Sequence, residues 1–236
     1  MSESTADSVV AVVKHLGQEQ QIQSKLREAL FQAYPDARAN NEQPKLDAIL
    51  KTKIAYLDAF IEEVLRASNP SMVVSKDAGE DLTIFGHHIP RGTMVIFTSY
   101  GPTITQGGAC VDESLRSESS QKHREEGLGD WADSEYPGEE FHPERWLRPS
   151  DDGTGELVFD PKAGPILTFS AGPRMCWGRR LAYLELKLVV TLFVWNFVFE
   201  RLPDHLHDWD VDDDLFIKPK HSRVRLSSVP PAEKLR

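Results

Sequence analysis

Apolar positions recur at helical spacing through the first third of the chain. Ser4 to Leu16 places Ala6, Val9, Val10, Val13 and Leu16 on one stripe, with Gly17 as a stop. Glu19 to Tyr34 repeats the pattern with Ile22, Leu26, Ala29 and Leu30, and Pro35 follows it. Leu46 to Leu50 predicts a short helix or turn. Ala55 to Ala67 predicts a helix with Tyr56, Ala59, Phe60, Val64 and Leu65 facing inward. The texture then changes. Met72 to Val74, Leu82 to Phe85 and Thr93 to Thr98 read as short strands, and "FGHHIPRGT" between the last two reads as turn. The stretch 101–138 is polar and predicts a long, partly disordered loop insertion. Arg148 to Gly164 predicts a second loop. Arg179 to Phe199 predicts the last long helix. Glu185, Lys187 and Asn196 within it argue for a buried helix rather than a membrane span. Leu215 to Lys218 and Arg223 to Leu226 are strand candidates in the tail. The fold class expected is mainly α with a small antiparallel β-sheet.

Charge narrows the function. The 236 residues carry a net charge of -10, which argues against nucleic acid as a partner, because phosphate binding needs a basic face. It leaves small apolar ligands open. The two cysteines, Cys110 and Cys176, do not make a disulfide framework and suit a reducing compartment. The opening "MSESTADSVV" lacks a basic start followed by an apolar run, so no secretory signal or anchor is expected in this chain, which points to the cytoplasm for the chain as it stands. His87 and His88 fall in a turn and read as surface imidazoles. His205 and His207 lie among Asp204, Asp208, Asp210 and Asp212 and read as a solvated acidic loop.

One short segment concentrates chemistry. In "FSAGPRMCWGRR", Phe169 to Arg180, two glycines allow tight turns and close backbone approach. Cys176 sits just before a helix start, and Arg174, Arg179 and Arg180 add positive potential; both features favour an anionic sulfur, as a nucleophile or a metal ligand. No histidine lies within about twenty residues to act as a base, and no second cysteine stands at zinc spacing. A single sulfur ligand to a porphyrin-held iron requires neither.

The pattern Phe169-x-x-Gly172-x-Arg174-x-Cys176-x-Gly178 resembles the haem-ligand signature of cytochromes P450, with all five fixed positions present. Three further segments are similar to family motifs. Glu63-Val64-Leu65-Arg66 resembles E-x-x-R. "FHPERW" resembles the P-E-R-F/W segment. "IPRGT" resembles a turn of the family's small sheet. The resemblance implies that Cys176 is the axial ligand of haem b and that Phe169, Gly172, Arg174 and Gly178 shape its site. It implies that Lys76 faces a haem propionate, and that Glu63, Arg66 and Arg145 form a structural triad locking the meander before the cysteine turn.

The resemblance covers only the C-terminal half of the family's pattern, so a partial domain with the N-terminal half absent is expected. Residues 1–16 would be the end of the central distal helix, 55–67 the E-x-x-R helix, 72–98 the small sheet, 141–178 the meander and haem-ligand loop, and 179–199 the proximal helix. Glu3 and Ser4 would match the acid and the proton-relay hydroxyl of the distal helix. The implied activity is haem-thiolate hydroxylation of an apolar small molecule, in secondary metabolism or xenobiotic oxidation. Electrons would come from NADPH through the flavins of cytochrome P450 reductase, at the cytosolic face of the endoplasmic reticulum in a complete member. "PERW" and the insertion look most like filamentous-fungal members. Two alternatives stand beside this: a non-catalytic remnant that binds haem weakly or not at all, and a thiol-redox protein using Cys176 without haem. Trp177, after the cysteine, departs from the family's usual proline or aliphatic residue, and Cys110 reads as a bystander.

Overall fold

The computed structural model describes residues 3–71, 73–99, 101, 106, 112–127, 129, 131, 134–213 and 217–231. Among the described residues, four long helices make the frame: α1 (Glu3–Gln18), α2 (Gln20–Ala33), α5 (Ala55–Ala67) and α7 (Arg179–Asn196). Two short ones, α3 (Pro35–Ala39) and α4 (Leu46–Lys51), connect α2 to α5. Their apolar stripes meet in one core that includes Val12, Leu16, Leu26, Leu30, Phe60, Val64, Leu186, Val190 and Val194. Burying a side chain of this size is worth about 1.5–3 kcal/mol, so the core is what makes these helices persist. α5 lies deepest. Its polar residues Glu62, Glu63 and Arg66 are buried along with its apolar ones.

Among the described residues the expected small sheet takes the form of five separate two-stranded antiparallel ladders. β1 (Val73–Asp77) pairs with β4 (Met94–Thr98), placing Lys76 opposite Val95. β2 (Leu82–Ile84) pairs with β3 (His87–Ile89). Phe85 and Gly86 between them both take positive φ, 50° and 80°, as a two-residue hairpin needs. β3 thus occupies part of the stretch read as turn. β5 (Leu147–Pro149) and β6 (Leu157–Phe159) form a hairpin across most of the expected second loop. β8 (Val211–Asp213) pairs with β9 (Ile217–Pro219); Leu215 and Phe216 of the tail strand candidate lie outside the described residues, as does Met72.

The end of the last helix and the polar stretch 101–138 differ from the sequence reading. The last helix stops at Asn196, and Phe197–Glu200 forms β7, paired with β10 (Arg225–Ser228). Polar side chains of α2 capture this backbone. Gln23, 1% exposed, donates to the Phe199 carbonyl at 2.9 Å and accepts from its N–H at 2.9 Å, while Arg27 donates to the Val194 and Phe197 carbonyls at 3.1 and 2.9 Å. Those bonds outweigh the apolar periodicity that continues through the strand. The polar stretch 101–138 contains helix α6 (Glu118–Glu125), capped by the Ser117 side chain, which accepts from the Ser120 N–H. No apolar stripe marks it, so only its cap could have signalled it. Cys110 lies outside the described residues.

Candidate functional site

Cys176 lies on the loop between the short 3-10 turn Gly172–Arg174 and the start of α7. Its N–H donates to the Phe169 carbonyl at 2.8 Å, closing the loop on the first residue of the motif. Ser170 and Gly172 turn the chain with φ of 59° and 76°. The thiol is free and exposed. Gly178 leaves it uncovered: a Cβ there would stand 3.7 Å from Sγ. Every residue from 171 to 180 is exposed, Arg174 among them, and Trp177 is 97% exposed. Phe169, half-buried, packs into the core edge beside Tyr183, with ring centroids 5.3 Å apart.

Lys76 reaches this loop from β1. Its Nζ donates to the Ala171 carbonyl at 3.1 Å and stands 4.0 Å from the place where a Cβ on Gly172 would be. The structure therefore brings Lys76, Phe169, Gly172, Arg174, Cys176 and Gly178 to one loop surface. Ser4 and Glu3 lie at the start of α1; the Ser4 carbonyl accepts from the Ser8 hydroxyl at 3.0 Å, and the Glu3 side chain is outside the described residues.

Behind the loop, Glu63 forms a buried knot. Its carboxylate is fully buried and accepts five hydrogen bonds: Arg66 Nε and Nη2 at 2.8 Å each, Arg145 Nε at 3.0 Å, the His142 N–H at 2.8 Å and Trp146 Nε1 at 2.9 Å. One carboxylate faces two guanidiniums. Backbone carbonyls of the meander take most of the other donors: Arg66 bonds Gly138 and Glu140, and Arg145 bonds Tyr136, Pro137 and Glu140, with Arg145 Nη1 also donating to Ser134 Oγ at 3.0 Å. Desolvation lowers the Arg145 pKa from its ordinary value, and the nearby Glu63 charge opposes that. Trp131 lies over both guanidiniums, at 5.6 and 5.7 Å from its ring.

Three features escaped sequence reasoning. Trp131 and Trp146 form a second apolar cluster with Ala59, roofing the knot. Glu62 accepts from the Tyr183 hydroxyl at 2.6 Å; burial pushes its carboxyl up, against the Tyr183 bond and the Arg179 charge. His15 is buried between Phe141, stacked at 3.9 Å, and Trp209 at 4.6 Å. Burial first, then the Arg66 charge, lowers its pKa from 6.5 to about 3, so the imidazole is neutral. His15 borders a cleft of about 980 Å³ that also touches Ala11, Glu19, Phe141 and Trp209, and no residue of the 169–180 loop lines it. Helical periodicity alone had given His15 no inward role, because its neighbours Lys14 and Gly17 interrupt the stripe.

The cytochrome P450 family model matches residues 2–102 and 135–224. The chain belongs to the cytochrome P450 family. The interval between the two matched stretches falls inside the polar segment 101–138. The chain is 34% identical to the cytochrome P450 monooxygenase TRI13 of Fusarium sporotrichioides, over 96% of this chain and 40% of the relative. It is 33% identical to the cytochrome P450 monooxygenase xilC of Penicillium rubens, over 95% and 37%. It is 30% identical to the Hps1-dma1 cluster cytochrome P450 monooxygenase cyp3.1 of Dothistroma septosporum, over 96% and 74%. The chain thus spans about two fifths of the first two of these relatives. Among the described residues, no helix is long and apolar enough to cross a membrane.

Family membership implies a haem iron cofactor, and the residues present suit one. A free, exposed sulfur stands on a glycine-containing loop, Lys76 reaches that loop at the Ala171 carbonyl, and Arg174 is exposed on it; a haem would need such a sulfur for its iron and such cations for its carboxylates.

Proposed function

We propose that Cys176 ligates haem iron through Sγ, in a monooxygenase that hydroxylates an apolar small molecule. The observation that carries the reading is the exposed sulfur of Cys176 on a loop that the Phe169 carbonyl closes through the Cys176 N–H and that Lys76 ties to β1 through the Ala171 carbonyl. When bound, the haem supplies oxygen activation, with thiolate ligation favouring cleavage of the O–O bond. The chain's own residues do the rest. Lys76 Nζ and the Arg174 guanidinium would neutralise the porphyrin carboxylates, Lys76 as a point charge and Arg174 as a fork. Gly172 and Gly178 would let the ring approach the backbone. The Glu63 knot holds the meander that leads into the loop. Ser4 Oγ, with Glu3 before it, is proposed to pass a proton toward the distal side.

Arg180 and Trp177, both exposed beside the loop, form the face on which an NADPH-dependent flavin reductase is proposed to dock. Endoplasmic reticulum attachment and a role in secondary metabolism are supported by the family and by the cluster name of the Dothistroma relative. A second reading, a chain without turnover, is favoured by the exposure of Leu181 and Leu184 near the same loop, 60% and 46%. The test is the reduced, CO-exposed absorbance spectrum of protein expressed with haem supply. The red-shifted thiolate band is expected in wild type and lost in Cys176→Ala. A wild type without that band refutes haem-thiolate ligation and leaves the second reading.

A further inference from the structure

Helix α5 grips the chain on two sides through neighbouring residues. Glu63 and Arg66 hold the meander, as described. Glu62 and Leu65 hold the cysteine loop: the Leu65 carbonyl accepts from Thr168 Oγ1 at 3.0 Å, and the Glu62 carboxylate, 4% exposed, accepts from the Tyr183 hydroxyl at 2.6 Å. Thr168 precedes the loop and Tyr183 follows it. The Tyr183 ring is then the surface on which Phe169 rests, and the Arg179 guanidinium covers both rings, 5.9 Å from Phe169 and 5.7 Å from Tyr183. Phe169 in turn supplies the carbonyl that receives the Cys176 N–H. A run of contacts therefore connects a buried carboxylate on α5 to the backbone of the sulfur-bearing residue.

We propose that Tyr183 and Glu62 are positioning residues for the haem-thiolate loop: their hydrogen bond fixes the ring under Phe169 and so the placement of Cys176. This rests on the haem-thiolate reading above. Without that bond the phenol keeps its ring contact with Phe169 and its interaction with Arg179, and is freer to turn about its side-chain torsions. A bonded phenol has one orientation, and the loop inherits it.

The test compares wild type with Tyr183→Phe, Glu62→Leu and the double variant. Hydrogen exchange is followed by mass spectrometry in the protein without added haem, and the reduced, CO-exposed spectrum is taken after haem loading. Exchange across residues 169–183 is expected to quicken about fivefold in each single variant, the factor carried by one hydrogen bond of ordinary net strength. The double variant should be no faster than either single, and peptides from α1 and α2 should be unchanged. The thiolate fraction of the CO spectrum should fall in the same variants. Unchanged exchange in 169–183 overturns the proposal. So does a uniform increase across the whole chain, which would mark general destabilisation, or faster exchange with an unaltered thiolate band. A wild type lacking the band refutes haem ligation instead, and in that case the exchange data alone decide whether the bond orders the loop.

Discussion

Glu63→Gln is nearly isosteric and leaves no cavity, so its effect reports charge and hydrogen bonding alone. Suppose the amide keeps its oxygen at the Oε1 position. Three donors remain served there: Arg66 Nη2, Arg145 Nε and the His142 N–H. The new NH2 then points at Arg66 Nε and Trp146 Nε1, two donors it cannot satisfy. A buried donor left without a partner costs about 1–3 kcal/mol. The two guanidiniums also lose their shared anion, and breaking a buried ion pair costs about 3–5 kcal/mol. These descriptions overlap, so about 3–5 kcal/mol is the expected total loss, a large share of a typical domain's stability of about 5–15 kcal/mol. Urea unfolding followed by tryptophan fluorescence measures it. Glu144→Gln is the control: Glu144 is one residue from Arg145, but it pairs with Lys25 in a bridge whose lysine side chain is 58% exposed, and it should cost less than about 1 kcal/mol. If Glu63→Gln costs no more than that control, the five-donor knot does not organise the fold.

Other outcomes follow from single features. The neutral, buried His15 has a folded pKa of about 3 against 6.5 in the unfolded chain, so between those values the unfolded chain binds the extra proton. Stability from this group is therefore complete above pH 6.5 and declines as pH falls. Between pH 7 and 5, wild type should lose about 2 kcal/mol more than His15→Leu; the difference isolates His15 from Glu19, Asp58 and Glu62, whose raised carboxyls act in the opposite sense. Equal losses would show that His15 is not buried as described. A methyl at Gly164 would come within 2.5 Å of the Trp131 ring, so Gly164→Ala should displace that indole and destabilise by about 1–3 kcal/mol, with a red-shifted tryptophan emission. An unshifted emission and unchanged unfolding midpoint would mean Trp131 does not roof the knot.

The helices were legible because period-3.6 stripes are long signals. α5 runs from Ala55 to Ala67 as the pattern indicated. What the pattern could not show is that α5 is buried on its polar side too: nothing in "IEEVLR" distinguishes two solvated glutamates from Glu63 inside a knot and Glu62 under a tyrosine. Burial there comes from partners 82 and 121 residues away in sequence, Arg145 and Tyr183. β7 was hidden for a related reason. Phe197-Val198-Phe199 suits a helix end and a strand equally, and the choice is made by Gln23 and Arg27 from another helix. The motif residues of the cysteine loop were found from their spacing, and the fold brings Lys76 to the same loop. Trp131 gave no signal, because it stands alone in a polar run.

The meander is pinned at Trp131 and again at the carbonyls of 136–140, while β4 ends at Thr98 on the other side. Between those anchors added length costs little, since doubling such a span adds only about 0.6 kcal/mol of closure entropy. A peptide tag or sensor spliced there should leave the cysteine loop in register, provided it spares Ser99, which bonds Asn69 and Ser71, and Glu126 and Gly129, which bond Lys162.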